Sequence, residues 1–315
     1  MNLEKSIRRS MREGSGPAWF TGIRGMLACL LTALVMCLTS CGDRSGVPPF
    51  ELGGDLPEGA QIRILFGGDT AFAESYGETQ RRLLEEKGYD FPLAAVKPLL
   101  KMVDLAVCNL ETPITHFRKS PYDGQKAYVH WTHAAYAPKA YRANGMLALS
   151  LANNHTLDYG VEGLHQTLEI LNRNGISWFG AGMNEAEAER PFVRGFNAEN
   201  LNFRLAVIGA FQYSLRYDLK YGFYADGEKG GCRKLSKEAI QHQVAELKAR
   251  DPDIYVVVYP HWGNNYEWKT ARQTLLGRAM IEAGADLVIG HGAHGMQEIE
   301  RYRGKWILYN LGNFV

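Results

Sequence analysis

Six short polar segments, each directly following an apolar, strand-like run, constrain the fold of this chain more than any other feature. They are Gly68-Asp69, Asn109-Leu110-Glu111, Asn153-Asn154-His155, His261-Trp262-Gly263, Gly290-His291-Gly292-Ala293-His294 and Asn310-Leu311-Gly312-Asn313. Asp, Glu, Asn and His are the side chains that hold divalent metal ions in proteins. Because open α/β sheets bind ligands beyond the carboxyl ends of their strands, the repetition predicts one metal-centred site built from the whole domain.

Apolar runs alternate with amphipathic segments from residue 61 onward, which predicts an α/β architecture. The predicted strands are Ile62–Phe66, Leu105–Cys108, Met146–Leu151, Phe203–Phe211, Ile254–Tyr259, Asp286–Ile289 and Trp306–Tyr309. The predicted helices are Thr79–Lys87, Leu93–Met102, Val161–Asn174, Ser236–Arg250 and Thr270–Ala283. Residues 116–133 and 211–232 have no clear period, and we expect them to form loops beside the site.

The first 41 residues have the layout of an export signal. An uncharged run from Gly25 to Ser40 follows four arginines and is shorter than the roughly 20 apolar residues of a spanning helix. It ends in Leu38-Thr39-Ser40-Cys41, which resembles a bacterial lipobox and predicts a lipid on Cys41. The alternative is a cysteine-containing signal or a single membrane anchor.

Three segments follow from this organisation: a signal over residues 1–41, a flexible Gly- and Pro-rich linker over 42–60, and a folded domain over 61–315. The chain stops directly after a polar segment, so either the domain closes on its last strand or the sequence is truncated there. The formal net charge of +1 excludes a nucleic-acid-binding balance. Cys108 and Cys232 are expected as buried thiols rather than as a disulfide.

The acidic residues Asp69 and Glu111 each emerge from a buried strand. A carboxylate in that position is costly unless it is paired or bound to a metal, although a turn or a helix cap would also explain Asp69. Asn109 shares a strand face with Glu111 and is a further candidate.

The histidines carry the more specific signal. In Asn153-Asn154-His155, Asp158 follows close enough to orient the imidazole. His261 alone would more often be a hydrogen-bonded core residue. His291 and His294 flank a glycine in one loop and can converge on one ion. His130 and His133 are weaker candidates for substrate contact, and no phosphate loop, dinucleotide fingerprint, serine elbow or paired CxxC motif is present.

Taken in order, these motifs resemble the CapA family of capsule and poly-γ-glutamate biosynthesis proteins. The resemblance covers residues 61–315. It rests on Gly68-Asp69, Asn109-Leu110-Glu111-Thr112-Pro113, Ala152-Asn153-Asn154-His155-Thr156-Leu157-Asp158-Tyr159-Gly160, His261-Trp262-Gly263, Val288-Ile289-Gly290-His291 with His294, and Leu311-Gly312-Asn313-Phe314. The family is similar in fold to calcineurin-like metallophosphoesterases, which implies a four-layer αββα sandwich.

The resemblance also implies roles for individual residues. The implied metal ligands are Asp69, Glu111, Asn154, His261, His291 and His294. His155 would be a general acid oriented by Asp158, and Asn109, Asn153 and Asn313 would contact substrate. The implied cofactor is Mn, Zn or Fe, as one or two ions. Ala71 and Gly292 stand where relatives carry further histidines, which favours one ion or a weakly held second one.

Three functional hypotheses remain open at this point. The first is a lipoprotein of the cell envelope, outside the cytoplasm, acting on an anionic polymer such as poly-γ-glutamate together with capsule-synthesis membrane proteins. The second is a metal-dependent phosphoesterase unrelated to capsule, and the third is a non-catalytic binding component. Residues 116–142 with Arg216, Lys220, Lys229 and Arg233 would form an anion-binding rim, or else an ordinary solvated surface.

Overall fold

The computed structural model of the protein describes residues 34–38, 61–72, 74–198 and 201–315. The predicted lipidation site Cys41, the linker over 42–60 and most of the predicted signal lie outside these residues, so those assignments stay predictions. Residues Leu34–Val315 form one compact unit.

The strands and helices alternate along the chain, as the sequence predicts. The strands are β1 (Leu34–Leu38), β2 (Ile62–Thr70), β3 (Leu105–Leu110), β4 (Ile114–Thr115), β5 (Thr132–His133), β6 (Ala148–Ser150), β7 (Ser177–Phe179), β8 (Ala181–Gly182), β9 (Phe192–Ala198), β10 (Leu201–Gln212), β11 (Gly231–Cys232), β12 (Lys234–Leu235), β13 (Tyr255–His261), β14 (Leu287–Ile289), β15 (Ile299–Tyr302) and β16 (Lys305–Leu308). The helices are α1 (Glu78–Lys87), α2 (Lys97–Leu100), α3 (Ala137–Ala143), α4 (Gly160–Arg173), α5 (Glu185–Glu189), α6 (Lys237–Arg250) and α7 (Ala271–Glu282). A 3₁₀ turn covers Glu74–Tyr76 and a π-helical turn covers Arg216–Lys220.

Two larger sheets carry the fold. The first has the strand order β1-β2-β3-β6-β7, and the second has the order β12-β10-β13-β14-β16-β15, with β9 paired to β10. Most neighbouring strands are parallel, while β1, β9 and β15 pair antiparallel with their neighbours. The carboxyl ends of the parallel strands therefore carry the polar segments of the sequence.

The two sheets pack face to face, because alternate residues of each buried strand point to opposite sides. In β13, Val257 and Tyr259 belong to the core between the sheets, together with Phe66 of β2. Val256 and Val258 of the same strand belong instead to the core under the outer helices.

Helices cover the outer faces of both sheets. Ile240 of α6 and Met280 of α7 are part of the core on the second sheet. On the other side of the molecule, α4 contacts β4 and β7 and buries Leu164 and Leu168. The predicted α/β fold with an αββα layering is thus confirmed.

One predicted helix is much shorter than expected. Leu93–Met102 was predicted to be helical throughout, but the α-helix spans only Lys97–Leu100 and the residues before it form turns. Pro98 lies in the first turn of the short helix, the place where a residue without an N–H is tolerated. Helix α3 was not among the predicted helices, and it lies just after the stretch 116–133 that was expected to be irregular.

Candidate metal centre

Asp69 is held near the end of β2 by the last residues of the chain. Its backbone N–H donates to the carbonyl of Gly312 at 3.0 Å, and its carbonyl accepts from the N–H of Phe314 at 2.7 Å. The preceding Gly68 permits this approach, since a Cβ there would lie 1.8 Å from the Gly312 carbonyl oxygen. Pairing of Asp69 with Asn313 therefore ties the segment after the second sheet to the first sheet at the candidate site.

A first group of ligand atoms comprises Asp69, His261 and His291, all buried. The two imidazole Nδ1 atoms are 3.1 Å apart. Asp69 Oδ1 lies 3.3 Å from Nδ1 of His291 and 3.8 Å from Nδ1 of His261. Strands β13 and β14 bring the two histidines together, and His261 and His291 form a parallel bridge at the strand ends.

A second group comprises Asp69, Glu111 and His294. His294 Nδ1 lies 3.4 Å from Asp69 Oδ2 and 3.8 Å from Glu111 Oε2. The same nitrogen is 2.9 Å from Oδ1 of Asn313, which is exposed. Asp69 thus offers one carboxylate oxygen to each group, and five of the six predicted metal ligands come together.

Gly292 explains one departure from the resemblance. Its φ is +103°, and a Cβ at this position would lie 2.8 Å from the His261 ring. Its N–H donates to Asp69 Oδ2 at 3.0 Å. A histidine at this position would collide with His261, so this arrangement of the site requires glycine here.

The buried amides of Asn109 and Asn153 connect the metal-ligand candidate Asp69 with the loop that carries His155. Both are fully buried. The amide of Asn109 donates to Asp69 Oδ1 at 2.8 Å and accepts from Asn153 at 3.0 Å. Asn153 also donates to the carbonyl of Leu110 and accepts from the N–H of His155. In this arrangement the two amides orient Asp69 and the His155 loop, and the substrate contact expected of them stays a prediction.

His155 is positioned by Asp158, as the sequence predicts. His155 Nδ1 lies 2.6 Å from Asp158 Oδ2, which also accepts from the N–H of His130. Lys126 donates to the second oxygen of Asp158 and to the carbonyl of Asn154, and it lies 3.1 Å from His155 Nδ1. The rings of His130 and His155 pack with centroids 3.8 Å apart.

The two acids of the ligand groups have opposite pKa shifts. Burial by itself would raise the pKa of Asp69, but hydrogen bonds with His291 and His294 bring it below its ordinary value. Burial and the charge of Asp69 raise the pKa of Glu111 well above its ordinary value. Burial lowers the pKa of His261, whereas a hydrogen bond to Asp69 raises that of His294. The two shifts favour the ionised form of Asp69 and the protonated form of Glu111.

Burial is also the main cause of the pKa shifts of His155 and Asp158. It lowers the pKa of His155 well below the ordinary value, and the nearby charge of Lys126 lowers it further. It raises the pKa of Asp158 to about 6 against the opposing effect of Lys126. In the free protein His155 is consequently neutral near pH 7.

The donor set fits a divalent ion. Carboxylates and imidazoles within 4.8 Å of one another are the ligands that Zn, Mn and Fe accept. Glu111 Oε1 and Asn154 Oδ1 are buried and have no hydrogen-bond partner among the described residues. Unsatisfied buried oxygens cost free energy, and a cation would satisfy them. Asn154, the sixth predicted ligand, lines the adjoining cleft.

A cleft of about 540 Å³ opens beside the two groups. His155, His261 and His294 line it, together with Lys126 and Tyr217. The sequence analysis did not single out Lys126 or Tyr217 as site residues. The sequence segments that contain them are rich in basic and aromatic residues. Only the fold shows which of those residues face the cleft.

The residues of the predicted anion-binding rim do not all face the cleft, and anion binding by them stays a prediction. Arg216 lines the cleft, and so does His130. Arg233, however, is buried, and its guanidinium donates to the carbonyl of Glu189 and to Gln243. The prediction for Arg233 was wrong, because β11 and β12 carry it into the interior.

Among the described residues, no helix combines the length and apolar character that crossing a bilayer requires.

Capsule synthesis proteins are among the known proteins to which this chain is similar. The family model described as "Bacterial capsule synthesis protein PGA_cap" matches residues 63–315. "Capsule biosynthesis protein CapA" of Bacillus anthracis is 31% identical over 245 residues, which cover 76% of this chain and 57% of that protein. "PGA biosynthesis protein CapA" of Bacillus subtilis is 31% identical over 241 residues, covering 76% of this chain and 60% of that protein. The chain thus spans about three fifths of the length of these relatives.

A solved phosphatase from Mycoplasma pneumoniae aligns over 80% of this chain and 72% of its own, with 12% identity and a TM-score of 0.44.

Proposed function

The chain belongs to the bacterial capsule synthesis protein family PGA_cap, and from this membership we propose that it serves the synthesis or export of an anionic capsule polymer such as poly-γ-glutamate. Two groups of candidate metal ligands share Asp69 and lie beside a cleft that Lys126 lines. This arrangement is the observation that supports a mechanism for the proposed function. We place the protein at the cell envelope, held by a lipid on Cys41.

Asp69, Glu111, His261, His291 and His294 would hold one or two divalent ions. A bound ion supplies Lewis acidity toward a phosphoryl or acyl oxygen. Lys126 lines the cleft in an ion pair with Asp158, and its positive charge would attract an anionic ligand there.

His155 would transfer a proton within the same cleft. Asp158 engages Nδ1, which leaves Nε2 as the nitrogen that exchanges a proton with a ligand. Because the pKa of His155 is low in the free protein, the general-acid role requires a bound anion that raises it. The Asn154 amide oxygen is buried and accepts no hydrogen bond from the part of the chain that the structure describes, so it is a further contact for the ligand.

Polymer binding tests the proposal directly. The full chain is incubated with poly-γ-glutamate in the presence and absence of Mn²⁺, and co-sedimentation is measured. We expect retention of the polymer that falls when Lys126 is replaced by Gln. Lys119→Gln, which changes an exposed lysine of the same segment, serves as the control. No retention by the unaltered chain under either condition would contradict the polymer assignment.

A metal-dependent phosphoesterase is the second candidate function, favoured by the position of His155 beside the ligand groups. Hydrolysis of p-nitrophenyl phosphate with added Mn²⁺ distinguishes the two. Activity that is lost in both Asp69→Asn and His155→Ala, without polymer binding, would favour the phosphoesterase. Polymer binding without hydrolysis would favour a binding component.

A further inference from the structure

A second cleft, of about 730 Å³, lies on the side of the molecule that carries α1 and α3. Glu74, Arg81, Tyr89, Trp131, Tyr136 and Lys139 are among the residues that line it. It shares no lining residue with the cleft beside the metal centre. The second cleft is therefore separate from the cleft beside the candidate metal centre.

Glu74 is an unusual residue to find in the wall of this cleft, because its side chain is a buried carboxylate with only 2% exposure. Its Oε1 accepts hydrogen bonds from Tyr89 at 2.8 Å, from the N–H of His133 at 3.0 Å and from the Thr132 hydroxyl. Its Oε2 is buried and has no hydrogen-bond partner among the described residues. A buried acceptor without a donor destabilises the protein, so the site favours a ligand that supplies a donor.

The surroundings of Glu74 select the kind of donor. Tyr89 and Tyr136 stack with ring centroids 5.4 Å apart, and Tyr136 is 54% exposed. Aromatic faces beside a carboxylate favour an ammonium group, which gains cation–π attraction as well as the hydrogen bond.

The charges of the cleft limit that ligand further. Besides Glu74, the lining includes the acids Glu85 and Asp90 and the exposed cations Arg81, Lys87 and Lys139. The two signs are balanced, so a purely cationic ligand gains little from the cleft as a whole. A ligand with both an ammonium and a carboxylate group matches both signs.

We propose that this cleft binds a free α-amino acid as its zwitterion. The ammonium group donates to Oε2 of Glu74 beside the stacked tyrosine pair, and the carboxylate pairs with Arg81 or Lys139. The site goes beyond the proposed function, which concerns the other cleft. The two clefts lie on either side of one 3₁₀ turn: Glu74 lines this cleft, while Tyr76 lines the cleft beside the metal centre.

Calorimetric titration of the full chain with amino acids tests the proposal. The probes are glycine, L-glutamate and L-lysine, each compared with its N-acetyl and its carboxamide derivative. We expect saturable binding of at least one free amino acid, no binding of its N-acetyl derivative, and weaker binding of its amide.

Glu74→Gln separates a ligand contact from a structural role. The glutamine oxygen can still accept from Tyr89, Thr132 and the His133 N–H, while its NH₂ group replaces the free acceptor. We expect an unchanged melting temperature and amino-acid binding weakened by at least about tenfold. Glu86→Gln, at an exposed position of the same helix α1 but outside the lining of the cleft, should bind as the unaltered chain does.

Three outcomes would overturn the proposal. The first is no saturable binding of any probe up to about 20 mM, a concentration beyond which affinity is negligible. The second is equal binding by Glu74→Gln. The third is saturable binding of a neutral polyol such as glucose, displaced by none of the amino acids. None of these results bears on metal or polymer binding.

Discussion

Asp69 is the residue on which the candidate centre depends. One of its oxygens faces His291 and the other faces His294, so a single carboxylate belongs to both ligand groups. The N–H of Gly292 and the amide of Asn109 fix its orientation from opposite sides. Its lowered pKa keeps it ionised, and a cation can therefore bind to it without first displacing a proton.

Glu111 behaves differently, and this predicts proton release on metal binding. Because burial and the charge of Asp69 raise its pKa, Glu111 must lose a proton before it can bind an ion. The apparent affinity for Mn²⁺ should rise with pH up to the pKa of Glu111 and level off above it. Calorimetry in buffers of different ionisation enthalpy measures the protons released, which we expect to be about one per ion at Glu111.

The matched variant for this prediction is Glu111→Gln, which keeps the shape and has no proton to lose. Proton release should fall in this variant, leaving the contribution of His294, whose pKa is also raised. Unchanged proton release in Glu111→Gln would show that Glu111 is not a ligand.

At the scale of elements, the loop after β14 shapes the centre through Gly292. A methyl group there would meet the His261 ring, and the positive φ adds strain. Gly304 also has a positive φ, +80°, but a Cβ added there would have no atom within 4 Å. Gly304→Ala therefore introduces the backbone strain of a positive φ without a steric clash.

We predict that Gly292→Ala is destabilised by about 1–3 kcal/mol more than Gly304→Ala, the usual cost of overpacking. Urea denaturation of the metal-free variants measures the difference. Only Gly292→Ala should also lose affinity for Mn²⁺. Equal stabilities and equal affinities would mean that His261 is not held where the structure places it.

The strands and their polar ends could be predicted from the sequence because each signal is local. The apolar run Ile254–Tyr259 and the residue His261 directly after it indicate a buried strand and a position at its carboxyl end. Asp69 and Glu111 follow their own strands in the same way. The architecture then brings these ends together, which is why the ligand set could be anticipated.

What the sequence could not predict depends on contacts between distant segments. Asn109 and Asn153 look like ligand contacts by position, but only the packing shows that they bond to each other and to Asp69. Arg233 looks like a surface cation, yet it enters the interior next to Gln243. Lys126 reaches His155 from a loop without regular structure, and no local pattern fixes where such a side chain points.

At the scale of the whole molecule, the reactivity of the buried thiols Cys108 and Cys232 measures how readily the packed layers open. Cys108 and Cys232 are buried and unpaired, and burial raises the pKa of each thiol to about 12. Because the thiolate is the reactive form, both should resist iodoacetamide in the folded protein and react only on unfolding. Peptide mass spectrometry of the full chain, labelled with and without urea, measures this. Rapid labelling of either thiol without urea would indicate that the layers open readily.

The central claim is that residues from both sheets form one metal centre around Asp69. Its most direct test is equilibrium dialysis of the full chain against Mn²⁺, comparing the unaltered protein with Asp69→Asn and with the control Asp253→Asn at an exposed position. We predict that the unaltered chain and Asp253→Asn bind Mn²⁺ equally, and that Asp69→Asn loses the binding because both ligand groups lose their shared carboxylate. Full Mn²⁺ binding by a folded Asp69→Asn variant would contradict the account.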